Sequence, residues 1–182
     1  MIDYRDSWNT RALFQKKWPI CRWLSERLEA KVLANCDHFI YCSTPILEKI
    51  NKKFFSITQK SLLIMNGYDA AITLPASSRP KNKVLRIGYF GRMNDRSDSA
   101  LNPANLFKAI LKLNKPVEFV TYGPVSISQN WQEQLKDILT IHPNLPHRKA
   151  IDAMQEMDVL VMLYSDPIGS DEIISGKLFD YM

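Results

Sequence analysis

"VLRIGYFG", residues 84–91, decides how the rest of the chain is read. Its apolar side chains do not alternate cleanly with polar ones, and it stops at a glycine. A strand with one solvated face alternates, whereas a strand buried on both faces, as in a parallel sheet, does not. Runs of the same kind follow at "PVEFVTYG" (116–123), "LTIHP" (139–143) and "DVLVMLYS" (158–165). Helical patterns lie between them. Asn102-Pro103 supplies an N-cap and a first-turn proline ahead of Phe107, Ile110 and Leu111. Ser128 precedes Trp131, Leu135, Ile138 and Leu139 at helical spacing. Pro146 opens a third helix with Ala150, Ile151 and Met154 on one face, and a further helix begins near Ser175. The order β-α-β-α-β-α-β predicts an α/β fold with a doubly wound parallel sheet.

Upstream of that unit, "LPASSRPKNK" (74–83) has two prolines, two serines and three basic residues without an apolar period. It reads as a linker. Before it, "DHFIYCS" (37–43) and "KSLLIMNGYD" (60–69) read as buried strands, the second ending in an Asn66-Gly67 turn signal, and "MIDY" offers a third. The expected organisation is a first α/β unit over 1–73, a hinge over 74–83 and a second unit over 84–182. The first is too short for a full doubly wound domain, and the second stops as its next helix begins, so both read as parts of larger units.

The 182 residues are 46% hydrophobic and 24% charged, as in a soluble globular protein. The formal charge of +5 suits an anionic ligand or surface. There is neither a long Lys/Arg run nor an RNA-reading or zinc-finger signature, so nucleic acid is not expected as a partner. Three cysteines without a C-x-x-C pair point to a reducing compartment. The first residues, "MIDYRDSWNT", lack the apolar core of a signal peptide, and no window approaches a membrane span. A cytoplasmic location is expected.

Three groups of residues carry candidate chemistry. Gly91-Arg92 and Gly123-Pro124 close strands, and ligands of open parallel sheets bind beyond the carboxyl ends of strands. Glycine there lets the backbone approach a phosphate, and Arg92 adds a charge-assisted contact. Any α/β protein has glycines after its strands, and no G-x-G-x-x-G fingerprint is present. The second group is "SDEIISGKLFDYM" (170–182), where Lys177 offers a phosphate a point charge. The acids Glu172 and Asp180 beside it suit sugar or ribose hydroxyls. The same residues also fit a solvated helix start whose acids complement the dipole. The third group lies over residues 11–35. There Phe14, Trp18, Cys21, Leu24, Leu28 and Val32 form an apolar stripe, with Arg11, Lys16, Lys17, Arg22, Arg27 and Lys31 around it. Such a helix either packs on its sheet or lies on an anionic membrane. Pro19 is expected to kink or restart it. None of His38, His142 and His147 has metal-ligand spacing, so no metal is expected.

Taken together the motifs resemble the retaining, GT-B-fold glycosyltransferases of the group 1 (family 4) type. "IDYRDSW" (2–8) is similar to the family's strand-end segment facing the acceptor cleft. "NCDHFIYCSTPILEKI" (35–50) resembles its aspartate–strand–serine–helix segment, and "IMNGYD" (64–69) the signature closing that domain. "RIGYFGRM" (86–93) is similar to the first strand and loop of the donor domain, and "DEIISGKLFDYM" (171–182) to the donor-site segment. The resemblance implies two Rossmann-like lobes, both incomplete here. It implies a hexosyltransferase that moves a sugar from a nucleoside diphosphate sugar to a carbohydrate or lipid-linked acceptor, in cell-surface polysaccharide or glycolipid synthesis, without a cofactor. Gly91, Arg92 and Lys177 would hold the donor pyrophosphate, Glu172 would lie by the transferred sugar, and Asp180 by the ribose. Arg5 and Asp6 would face the acceptor. Asp180 replaces the family's glutamate, and Arg96 stands near the place of a family lysine. The glycine-rich loop of the family's N-terminal lobe would precede residue 1. A fragment of this extent is expected to be inactive alone and to sit in the cytoplasm, peripheral at the inner face of the membrane. The alternatives are a non-catalytic nucleotide or sugar-phosphate binding module and a basic membrane-docking domain.

Overall fold

The structure is a computed structural model, and it describes residues 1–10, 18–68, 83–97, 99, 101–164, 172 and 174–182. The chain forms two compact units, Met1–Tyr68 with Pro167–Phe179, and Asp69–Asp166 with Asp180–Met182. The expected hinge falls, except for Lys83, outside the described residues. Residues 84–182, expected as one unit, divide here, since the segment carrying Glu172 and Lys177 groups with the first unit.

In the first unit, strands β1 (Ile2–Tyr4), β2 (Phe39–Tyr41) and β3 (Ser61–Leu63) form a parallel sheet in that order. Helices α1 (Pro19–Ala34) and α2 (Thr44–Lys53) make the two crossovers. Each has a proline in its first turn, where the missing N–H costs no hydrogen bond. The core joins Tyr4, Phe39 and Cys42 to Leu33 of α1 and to Ile46, Leu47 and Ile50 of α2. The Lys60 ammonium donates to the carbonyls of Leu33 and Cys36 at 2.7 and 2.9 Å, filling acceptors that the end of α1 leaves open.

Helix α1 begins at Pro19, as a restart there predicts. Its rotation differs from the packed alternative. Glu29 and Leu33 are buried, while Trp18, Leu24 and Leu28 are 82%, 54% and 52% exposed. The apolar stripe faces away from the sheet because a polar anchor takes the inner side. The buried Glu29 carboxylate accepts from the Tyr4 phenol and from Asn9 Nδ2, the latter at 2.7 Å. Ser25 Oγ donates to Asn9 Oδ1 at 2.9 Å. A carboxylate that deep requires such donors, and Tyr4 and Asn9 supply them on the inner side.

In the second unit, β4 (Leu85–Phe90), β6 (Val117–Tyr122), β8 (Leu139–His142) and β9 (Val159–Leu160) form a parallel sheet in the order β8-β6-β4-β9. The crossover helices are α3 (Ala104–Ile110), α4 (Gln129–Gln134) and α5 (His147–Met154). One face packs Ile87, Tyr89 and Phe119 against Phe107, Ile110 and Leu135. The other packs Phe90 and Val120 against Ile151, Met154 and Met157. Burial of both faces is why the strands read as unbroken apolar runs. The chain lays β6 and β8 outward on one side of β4, then crosses to place β9 on the other side. The winding therefore reverses between β4 and β9, which is where doubly wound sheets open a crevice.

Two sequence expectations shorten. Among the described residues, the run 60–69 is strand over Ser61–Leu63, and 158–165 over Val159–Leu160. β3 pairs with β2 and β9 with β4, each over that shorter span.

Candidate functional site

Two strand ends of the second sheet meet at glycines. Gly91 has φ +154° and Gly123 φ +141°. A β-carbon on Gly123 would lie 2.6 Å from the Gly91 carbonyl oxygen and 3.2 Å from Asn144 Oδ1. The glycine signal in the sequence thus has a packing cause. Their amides are also committed, Gly91 N–H to Tyr122 O at 2.9 Å and Gly123 N–H to His142 O at 3.0 Å. The sequence reading looked to these glycines for direct backbone contact with a phosphate. In this arrangement what they do is bring the two strand ends together, and the exposed Arg92 side chain is the group offered outward.

Beyond the glycines the chains resume as a two-stranded parallel ribbon, β5 (Met93–Asn94) with β7 (Val125–Ser126). Met93 N–H donates to Pro124 O at 2.9 Å, and Ser128 N–H to Asp95 Oδ2 at 2.8 Å. The Tyr89 hydroxyl donates to Arg92 O at 2.7 Å. Burial pushes the Tyr89 phenol up to about 12, so it remains a donor at neutral pH. The backbone carrying Arg92 is thereby fixed from both sides. Arg96 is exposed four residues further on.

Helix α6 (Gly176–Asp180) carries Lys177 and Asp180 three residues apart, on one face of a turn. Lys177 is half-buried, and burial lowers its pKa below that of an ordinary lysine. An anion beside it would offset that desolvation. Asp180 Oδ1 lies 3.2 Å from His147 Nε2, on the first turn of α5. No local pattern in the sequence pairs the two, because they are 33 positions apart. Tyr181 packs beside Phe90 and Val120, and its hydroxyl donates to Val161 O at 3.4 Å.

The first unit gathers its own cluster beyond the ends of β1, β2 and β3. Glu172 is 1% exposed there. Its Oε1 lies 2.7 Å from Lys49 Nζ and accepts from Thr10 Oγ1 at 3.5 Å. Ser43 is the residue before α2, where a hydroxyl ordinarily caps the helix. Here its Oγ donates instead to the Glu172 carbonyl at 2.6 Å. Glu172 Oε2 is buried with no hydrogen-bond partner among the described residues. Arg5 follows β1 and donates to Ile64 O at 3.2 Å and Asn66 Oδ1 at 3.1 Å. Asn66 Nδ2 in turn donates to Ile174 O at 2.8 Å. The Asn-Gly signature therefore anchors the segment after Glu172 to the end of β1. Asp6 is exposed next to Arg5.

The structure thus brings Glu172 and Arg5 into one unit, and Gly91, Arg92 and Asp180 into the other. Lys49, Asn144 and His147 join these groups without having been singled out as site residues. Only proximity in space selects them, and no spacing rule links Lys49 to a carboxylate more than a hundred positions away. Among the described residues no three His, Cys, Asp or Glu side chains come together as a metal site. Among the described residues, too, no helix is long and apolar enough to cross a membrane.

Among solved structures, the chain is similar to the apo form of the lipopolysaccharide outer core galactosyltransferase WaaB. The identity is 16% and the TM-score 0.50, over 69% of this chain and 36% of that one. It is also similar to TarM, with 14% identity and TM-score 0.48, over 75% of this chain and 27% of that one. The chain spans about a third of the length of these structures. The fold is the α/β, parallel-sheet fold of the galactosyltransferase. No protein-family model and no curated protein matches the sequence.

Proposed function

We propose that the chain is part of a retaining glycosyltransferase that transfers a hexose from a nucleoside diphosphate sugar to a hydroxyl of a carbohydrate or lipid-linked acceptor. The observation that carries this reading is the reversal of winding between β4 and β9, with the exposed Arg92 just past the end of β4. A crevice outside strand carboxyl ends is where nucleotides bind in such sheets.

The leaving group of the reaction is a diphosphate, so the main task is to stabilise developing negative charge. Arg92 and Lys177 each supply a cation for it. Asp180 accepts from the ribose hydroxyls. Glu172 is the acid for the transferred sugar, and its Oε2 is the oxygen that Lys49 and Thr10 leave over. Arg5 and Asp6 line the acceptor side. The complete protein works in cell-surface polysaccharide or glycolipid synthesis, at the cytoplasmic face.

The near-complete burial of Glu172 favours a second reading, a module that binds a nucleotide or sugar phosphate without transferring it. Calorimetric titration with UDP, GDP and ADP tests both. One nucleotide is expected to bind, and Lys177→Ala to weaken it about tenfold, the scale of one charge-assisted contact. No binding of any of the three at millimolar concentration refutes both readings. Binding without turnover of the matching sugar nucleotide by the full-length protein supports the module.

A further inference from the structure

We infer that α1 docks the chain on an anionic lipid surface through the face it turns away from its own sheet. The stripe of Ile20, Cys21, Leu24, Leu28 and Val32 is exposed along that face, with Ile20 at 74%. These positions recur at helical spacing, and from Ile20 to Val32 they run over roughly 18 Å of the helix. Monomeric soluble proteins seldom leave such a contiguous apolar strip in water.

Charge selects the occupant. Arg27 and Lys31 are exposed along one border of the stripe. Arg27 lies over the Trp23 ring at 4.8 Å, so an aromatic and a cation stand together at the edge. Trp18 precedes the helix and is 82% exposed. The two acids of α1 are turned away from this face. Glu29 is buried on Tyr4 and Asn9. Glu26 is paired with Arg22 and with Lys53, both at 2.9 Å. Those partners hold its carboxyl below the usual range, so it stays charged and paired. Among the described residues of α1, the outer face thus presents apolar side chains, an indole ring and positive charge. That combination suits the boundary between acyl chains and anionic headgroups, where lysine and arginine stems reach to the phosphates. A neutral apolar partner would not need the cations, and a second copy of this face would oppose Arg27 and Lys31 to themselves.

Co-sedimentation of the chain tests this with vesicles of phosphatidylcholine alone and of phosphatidylcholine mixed equally with phosphatidylglycerol. Binding is expected to the mixed vesicles only, with a blue shift of tryptophan emission. Arg27→Ala with Lys31→Ala should weaken it roughly 25-fold, about fivefold for each cation lost at the surface. Leu24→Ser with Leu28→Ser should abolish it while the circular dichroism spectrum is kept. Lys52→Ala, on α2, removes a charge elsewhere and should change binding far less. Equal binding to both vesicles, binding indifferent to these α1 changes, or none at all overturns the inference. Self-association in sedimentation velocity that Leu24→Ser with Leu28→Ser abolishes, without vesicle binding, assigns the face to a second copy instead.

Discussion

Replacing Gly123 by alanine perturbs the point where the carboxyl ends of β4 and β6 touch. Two costs add. With φ at +141°, the residue occupies backbone space that side chains rarely adopt, at about 1–3 kcal/mol. The new methyl would also stand 2.6 Å from the carbonyl oxygen and 2.9 Å from the carbonyl carbon of Gly91. Both are backbone atoms, and Gly91 is held by its own hydrogen bond to Tyr122 O. Relief requires the two strands to part, at a further 1–3 kcal/mol or so by analogy with overpacked cores. The total is about 2–6 kcal/mol. For a chain of this size each kcal/mol lowers the melting temperature by roughly 2–4 °C. Thermal unfolding followed by circular dichroism should therefore shift down by on the order of 10 °C. Gly67→Ala is the control, because nothing lies within 4 Å of its added carbon, and it should melt within a degree or two of the parent. Since the new methyl would press on Gly91, the residue before Arg92, the proposed nucleotide affinity should fall along with stability. If Gly123→Ala melts like Gly67→Ala, the close approach of the two glycines is not what holds the strand ends.

Two further outcomes follow from the buried carboxylates. Lys49→Met leaves Glu172 without its cation and should destabilise the first unit by roughly 1–3 kcal/mol in urea, less than for a fully buried pair because Lys49 is partly exposed; adding Glu172→Gln should recover most of that loss. Burial, and then the bond to Glu29, raise the Tyr4 phenol above its ordinary value of 10.0, so Tyr4 contributes stability that is present below that pH and is lost as pH rises past it. Tyr4→Phe should cost about 1–3 kcal/mol at neutral pH by stranding Glu29, and should flatten the alkaline decline in stability measured by urea unfolding.

Much of the fold was legible because burial on both faces writes itself into local composition. The four strands of the second sheet, their crossover helices and the start of α1 at Pro19 follow from runs, caps and prolines that neighbouring residues define. The rotation of α1 was not legible. Its stripe reads the same whether it meets a sheet or solvent, and the deciding residues, Tyr4 and Asn9, lie more than twenty positions before Glu29 or close to it. The site divides in the same way. Glycines and charged residues near strand ends stand out one by one. That Gly91 and Gly123 touch, that His147 meets Asp180 and that Lys49 meets Glu172 are facts about sheet order and packing, which no local window contains.

The residue pattern by itself determined an α/β chain of parallel strands with its polar candidates near strand ends, because the periodicity of burial is a local property. Tertiary structure alone decided which candidates share a neighbourhood. It placed Glu172 among Lys49, Ser43 and Thr10 in the first unit, and committed the amides of Gly91 and Gly123 to the ladder of the second sheet. The physical reason is that a buried charge or amide must find its partner wherever the fold brings one. Strand order, not distance along the chain, sets who that partner is.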